Sequence, residues 1–192
     1  MSNTFISFFN NGWKHIVDLE AYDHLLFVMT LCAAFTIKEI KSILIIVTAF
    51  TIGHCLTLIL CAFNLIPTDP KIIDKIIPLT IMLTSISNVY TYNSRNKKLK
   101  LKYFIALIFG LIHGLAFAGN FTAMMFDTNI ILPLFSFNLG IEIGQIFIVS
   151  IFILILFIYT KYIKGNHLTW NTFISGAGFG IAGTIFLNSF TQ

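Results

Sequence analysis

Six long apolar runs make up most of this chain, and its few charges are gathered in the gaps between them. They cover roughly residues 21–37, 42–63, 72–92, 101–125, 130–160 and 169–190. A hydrocarbon core of ~30 Å is crossed by about 20 apolar residues in a helix. Lipid offers the backbone no hydrogen-bond partner, so such runs must satisfy their own amides as helices. Only 10% of the 192 residues are charged, 57% are hydrophobic, and the mean hydropathy is +0.87. A soluble domain carries roughly 25% charged residues. The sequence therefore predicts an all-α polytopic membrane protein: six transmembrane helices in a single bundle over residues 1–192.

The stretch from Phe5 to Ile16 mixes Trp and Phe with polar residues and predicts a short interfacial or re-entrant helix. Residues 1–12 lack a basic segment, a sustained apolar run and a small-residue cleavage site. The first span is accordingly expected to act as its own insertion signal. Pro78 and Pro133 fall near the starts of the third and fifth spans, where proline costs least. Ser175 to Gly183 (SGAGFGIAG) is expected to allow close helix packing. Cys32, Cys55 and Cys61 lie in or beside apolar runs and read as small buried hydrophobes, not as a disulfide framework.

Nine of the twelve basic residues lie in the gaps after odd-numbered spans: Lys38, Lys41, Arg95, Lys97, Lys98, Lys100, Lys102, Lys161 and Lys164. Lys14, Lys71 and Lys75 fall on the other side. Basic residues in short loops stay on the cytoplasmic side. The expectation is a multi-pass protein of the cell's inner (cytoplasmic) membrane with both termini outside. The same distribution turns the basic pI of about 9.0 into an orientation signal and argues against nucleic acid as a partner.

Ionisable residues inside a span cost about 2.5–3.5 kcal/mol each on insertion scales and usually mark function. Four segments carry them: GWKHIVDLEAYDHLLF with His15, Asp18, Asp23 and His24, FTIGHCLTL with His54, FGLIHGLAFA with His113, and FNLGIEIGQ with Asn138, Glu142 and Gln145. Asn138, Glu142 and Gln145 follow i, i+4, i+7 and line one face of a helix. His54 and His113 each lie about twelve residues, ~18 Å, from the basic ends of their spans, and Glu142 is about as far from the opposite end of its own. Three helices thus present polar groups at one depth, while Asp23 and His24 are expected to lie shallower. Gly110 and Gly114 leave room beside His113.

Imidazole and carboxylate are ligands for zinc, nickel and cobalt, with geometry selecting among them. Amides such as Gln145 and Asn138 suit a supporting role, orienting a ligand carboxylate or fixing a histidine tautomer. The same residues could instead relay protons, and a lone intramembrane histidine could simply hydrogen-bond across the bundle. Asp18, Glu20 and Lys14 read as solvated, Asn88 and Asn93 as caps at a helix end, and His167 as a loop residue. His15 stands between a ligand and a solvated residue. Cys55 is set apart because adjacent helical residues point ~100° from each other.

Together these segments resemble the HupE/UreJ family of membrane proteins, nickel or cobalt permeases. The likeness lies in the Asp-His-Leu-Leu-Phe approach to the first helix with a histidine before it, F-T-x-G-H-x-x-T-L (Phe50 to Leu58), F-G-L-x-H-G (Phe109 to Gly114) and F-N-x-G-x-E-x-G-Q (Phe137 to Gln145). It runs from about residue 10 to 190. The resemblance places the family's polar residues on His15, Asp23, His24, His54, His113, Glu142 and Gln145. Two departures stand out: residues 1–12 do not form the leader with which the family often begins, and the histidine-rich pattern of its hydrogenase-linked members is thinner here.

Residues and resemblance lead to one expectation: a permease for a divalent transition metal (zinc, nickel or cobalt) entering from the outer side. Asp23 and His24, with or without His15, would capture the ion; His54, His113 and Glu142 would hold it near mid-membrane; Gln145 and Asn138 would support them. Ligands without thiolate suit transit, because a pathway must release what it binds. The runner-up is an intramembrane metal-dependent hydrolase with Glu142 as general base on the same cluster. A non-catalytic metal sensor or assembly partner is the third class, and a rhomboid-like protease is disfavoured for want of a G-x-S-x motif paired with a histidine. Beyond the metal, the expected partners are membrane lipid and, in a homo-oligomer, a second copy of the chain.

Overall fold

The computed structural model of the protein describes residues 2–18, 22–66, 69–92, 99–124 and 130–190. Arg95, Lys97 and Lys98 of the orientation count, together with Glu20 and Asn93, lie outside these residues. Every regular element among the described residues is helical: α1 (Ser2–Val17), α2 (Tyr22–Ala33), a single 3₁₀ turn (Ile37–Glu39), α3 (Ile40–Ala62), α4 (Pro70–Tyr90), α5 (Leu99–Ala123), α6 (Ile131–Lys161) and α7 (His167–Asn188).

Local chemistry sets several helix starts. Glu39 accepts from both the backbone amide (2.8 Å) and the hydroxyl (2.6 Å) of Thr36, which winds the turn leading into α3. Asp69 caps α4 by accepting from Lys71 N–H, with Pro70 at the first helical position where its missing N–H costs nothing. Asn166 caps α7 through Leu168 N–H.

Four segments are long and apolar enough to cross a membrane: Ile37–Ala62, Lys71–Tyr90, Lys100–Gly119 and Ile131–Lys161. The expected first and last spans do not reach that standard by themselves. At 12 residues, α2 reaches ~18 Å, little more than half of a ~30 Å core. With 22 residues, α7 is long enough, but its Thr, Asn, Ser and Gly content leaves it less apolar.

α1, expected as an interfacial or re-entrant helix, packs lengthwise on α6. A β-carbon at Gly12 would run into the Phe137 carbonyl, and one at Gly140 into the Phe9 carbonyl, so the two backbones touch. Further along, Ile16 and Val17 lie against Gly144 and Trp13 against Phe147, so the two helices run parallel. Polar residues on the free side of α1 (Asn10, Lys14) gave its sequence an interfacial look. α3 and α5 form a second parallel pair, with Gly53 against Leu107 and Gly110 against Phe50. α4 and α7 run antiparallel: Lys75 lies over the Phe190 ring at one end, and Asn88 meets Asn171 at the other. In the glycine-rich stretch of α7 only Gly178 packs closely, against Thr30 and Ser85; Gly176, Gly180 and Gly183 face open space.

Hence α1 and α2 follow one another along the bundle as two halves of an interrupted helix. Together they span Ser2 to Ala33, close to the 31 residues of α6 beside them. The last turn of α1 and the first turn of α2 lie level with the middles of α3 and α5.

Candidate metal centre

Each half of the interrupted helix brings one histidine to the break. His15 sits in the last turn of α1 and His24 in the first turn of α2, with ring centroids 4.5 Å apart. His54, from the middle of α3, is 5.7 Å from His15 and 6.3 Å from His24. One ring nitrogen from each of the three lies within 4.8 Å of the others. His113, from α5, stands 5.3 Å from His24. The close α3–α5 contact brings His113 beside His54: a β-carbon at Gly110 or Gly114 would press on the backbone around His54.

Two of these rings are held in a defined tautomer. His24 Nδ1–H donates to Asp23 Oδ1 at 3.1 Å, and the same oxygen accepts the His24 backbone N–H at 2.9 Å. His113 Nδ1–H donates to the Phe109 carbonyl one turn earlier, at 2.8 Å. In both, Nδ1 carries the proton and Nε2 is left with its lone pair, the form in which imidazole binds a metal.

The Nε2 atoms of His15, His24, His54 and His113 are all buried and without a hydrogen-bond partner, as is Nδ1 of His54. Buried polar atoms in folded proteins are nearly always partnered, because desolvation without a bond costs about 1–3 kcal/mol. Nitrogens in that condition on adjacent elements could serve as donors to a borderline divalent metal, those of His15, His24 and His54 being the close group.

Aromatic rings close both sides. Toward the end of the bundle that carries Lys38, Lys41, Lys161 and Lys164, Phe27 lies tilted against His113 and Phe50 meets it edge-on, with ring centroids 5.0 and 5.1 Å away and Phe109 behind Phe27. Toward the opposite end, Phe117 lies 4.0 Å from His15 and stacks on Phe137 at 5.0 Å, with Phe121 beyond it. An apolar shell of this kind strengthens electrostatic contacts inside it.

Of the expected site residues, the fold gathers His15, His24, His54 and His113, and Asp23 takes the position behind His24. Asp23 and His24, expected to be shallower, share the level of the others because the interruption carries the α2 N-terminus into the bundle. The hydrogen bonds of Glu142, Gln145 and Asn138 go to groups other than the histidines. Glu142 accepts from the Thr48 hydroxyl at 2.6 Å, and Gln145 Oε1 from Thr51 at 2.7 Å, both across the α3–α6 contact. The Asn138 amide turns back to the Leu134 carbonyl at 2.8 Å.

Other polar groups do more than their sequence positions suggested. Asn88 donates to the Thr30 carbonyl (2.7 Å) and to Ser175, while Asn171 donates to the Asn88 carbonyl, tying α2, α4 and α7 together in the interior. His167 Nε2–H donates to the Phe35 carbonyl at 2.9 Å. The phenylalanine shell escaped the sequence reading although its signal was there: Phe27, Phe50, Phe109 and Phe117 each lie three or four residues from a site histidine, one helical turn away.

Taken together, the fold and the buried imidazoles define a helical protein of membrane type built around a polyhistidine centre. The chain belongs to the HupE/UreJ family: the family model described as HupE / UreJ protein matches residues 1–190. No curated protein and no solved structure matched the chain.

Proposed function

We propose that this chain is a permease for a divalent transition metal ion of the nickel, cobalt or zinc type. The observation that carries the reading is the set of four buried, unpartnered Nε2 atoms at the interruption between α1 and α2. His15, His24, His54 and His113 serve as the ligands, and Asp23 positions His24. Discontinuous helices are a recurrent way of placing an ion site at mid-membrane, because the break frees polar groups at depth.

On this reading α1 and α2 jointly make the first of six crossings and α7 makes the last, in the cell's inner membrane. Both termini face outside, and the ion arrives from that side. A pathway must release what it binds, and a ligand set without thiolate suits transit better than a permanent structural site. Membership of the HupE/UreJ family supports the same direction. A hydrolase would need its general base beside the metal, whereas Glu142, the expected base, hydrogen-bonds Thr48 on a separate seam.

Uptake of nickel, cobalt and zinc into proteoliposomes holding the purified full-length protein tests the proposal. The wild type is expected to accumulate at least one of the three. The double variant His54→Ala/His113→Ala is expected to lose that uptake while still inserting as a folded protein. Equal uptake by the two proteins sinks the proposal.

A further inference from the structure

Glu142 lies in the middle of the longest apolar helix, and the histidine centre makes no use of it. One carboxylate oxygen accepts from Thr48; the other is buried without a partner. One turn on, Gln145 is fully buried, its Oε1 held by Thr51 and its Nε2 unpartnered. Thr48 and Thr51 are spaced i, i+3 on α3, as Glu142 and Gln145 are on α6, so the four side chains form a two-rung ladder of oxygens. No cationic side chain pairs with Glu142 among the described residues. The charged and histidine side chains on the elements packed against α6 are Lys14 and His15 on α1, Asp23 and His24 on α2, Lys38 and Glu39 on the 3₁₀ turn, Lys41 and His54 on α3, Lys100, Lys102 and His113 on α5, and His167 on α7; among them His24 pairs with Asp23.

An uncompensated carboxylate at this depth is expensive. We infer that the Thr48–Thr51–Glu142–Gln145 ladder is a second cation site, all oxygen, which takes one monovalent cation, a proton or a sodium ion. Hard oxygen donors separate it from the nitrogen donors of the metal centre.

Charge balance couples the two sites, a step that rests on the transport reading above. Asp23 and Glu142, when ionised, carry two negative charges between them, which balance one divalent ion on neutral imidazoles. When the metal leaves, Glu142 needs another positive charge; when it arrives, that charge is expelled. α3 links the sites directly, since Thr48, Thr51 and His54 lie on successive turns of one helix. Binding of metal and of the monovalent cation therefore oppose each other by reciprocal linkage.

Infrared difference spectra of the purified full-length protein, wild type minus Glu142→Gln, test the site without any metal. A protonated carboxyl band removed by the substitution identifies a proton; an ionised band that shifts when sodium is exchanged for choline identifies sodium. A carboxylate ionised throughout and indifferent to sodium overturns the inference. Thr48→Val, which removes the hydroxyl donor and keeps the charge, is expected to shift the same band and serves if Glu142→Gln fails to fold.

Titration with nickel chloride then reads the coupling. About one proton or sodium ion should be released per metal bound by the wild type beyond that released by Glu142→Gln. Equal release from both proteins overturns the coupling. Failure of the wild type to bind nickel, cobalt or zinc would remove the transport reading and the coupling with it, while the metal-free spectra still decide whether the ladder holds a cation.

Discussion

Asp23 and His24 are neighbours in sequence, and one carboxylate oxygen of Asp23 holds His24 twice, through its ring Nδ1–H at 3.1 Å and its backbone N–H at 2.9 Å. The contact places a negative charge in the first turn of α2, where the helix dipole favours it, and puts the ring proton on Nδ1, leaving the buried Nε2 with its lone pair. On the proposed reading Asp23 works through His24 and is not itself a ligand.

Asp23→Asn should consequently weaken metal binding by about 10–100-fold, the usual effect of losing a carboxylate behind a ligand histidine. The number of ions bound should stay the same. Isothermal titration of the purified protein with nickel or zinc chloride reads both quantities; a change in stoichiometry would make Asp23 a ligand.

Metal should stabilise the fold through the same centre. At a hundredfold excess over Kd, a ligand bound only to the native state adds about 2.7 kcal/mol. A thermal shift of that origin should appear with the wild type and disappear in His54→Ala/His113→Ala. It should persist in Asn138→Ala, whose amide is engaged by the Leu134 carbonyl. Loss of the shift in the Asn138 variant would bring that residue back into the site.

The contact of α1 with α6 carries His15, so Gly12→Leu or Gly140→Leu should harm two properties together. Each new side chain meets a backbone carbonyl, and overpacking of this kind costs about 1–3 kcal/mol. Unfolding in mixed detergents should report lower stability, and metal titration a weaker site as His15 is displaced. Gly180→Leu, with open space around it, is the control and should leave both unchanged.

Asn171→Leu removes the donor to the Asn88 carbonyl in a network away from the histidines. Hydrogen bonds between membrane helices contribute about 0.6 kcal/mol on average, and at most ~1.7. A stability loss of that order with undiminished metal affinity is expected. A matching loss of affinity would show that the α2–α4–α7 network sets the position of His24.

Long apolar runs and intramembrane histidines were legible in the sequence because each follows from local chemistry. Twenty apolar residues must be helical in lipid, and a histidine within such a run stands out whatever surrounds it. His54 and His113 could even be placed at one depth, since rise per residue is constant along a helix. The residues of each run thus determined the all-helical class, most helix positions and the candidate ligands.

The partners were decided by contacts that no single run contains. α1 read as interfacial because its polar side is visible in sequence, whereas Gly12 meeting Phe137 depends on another helix 125 positions away. Glu142 sat at the right depth to join the histidines, but helix depth says nothing about the direction a side chain takes around the bundle. The packing of α6 turns Glu142 to Thr48. Likewise, the break between α1 and α2 brings His15 and His24 down to His54, a level neither could have been assigned while the two halves were read as an interfacial helix and a complete span. Periodicity fixes height along each helix, and only close packing fixes rotation and neighbours.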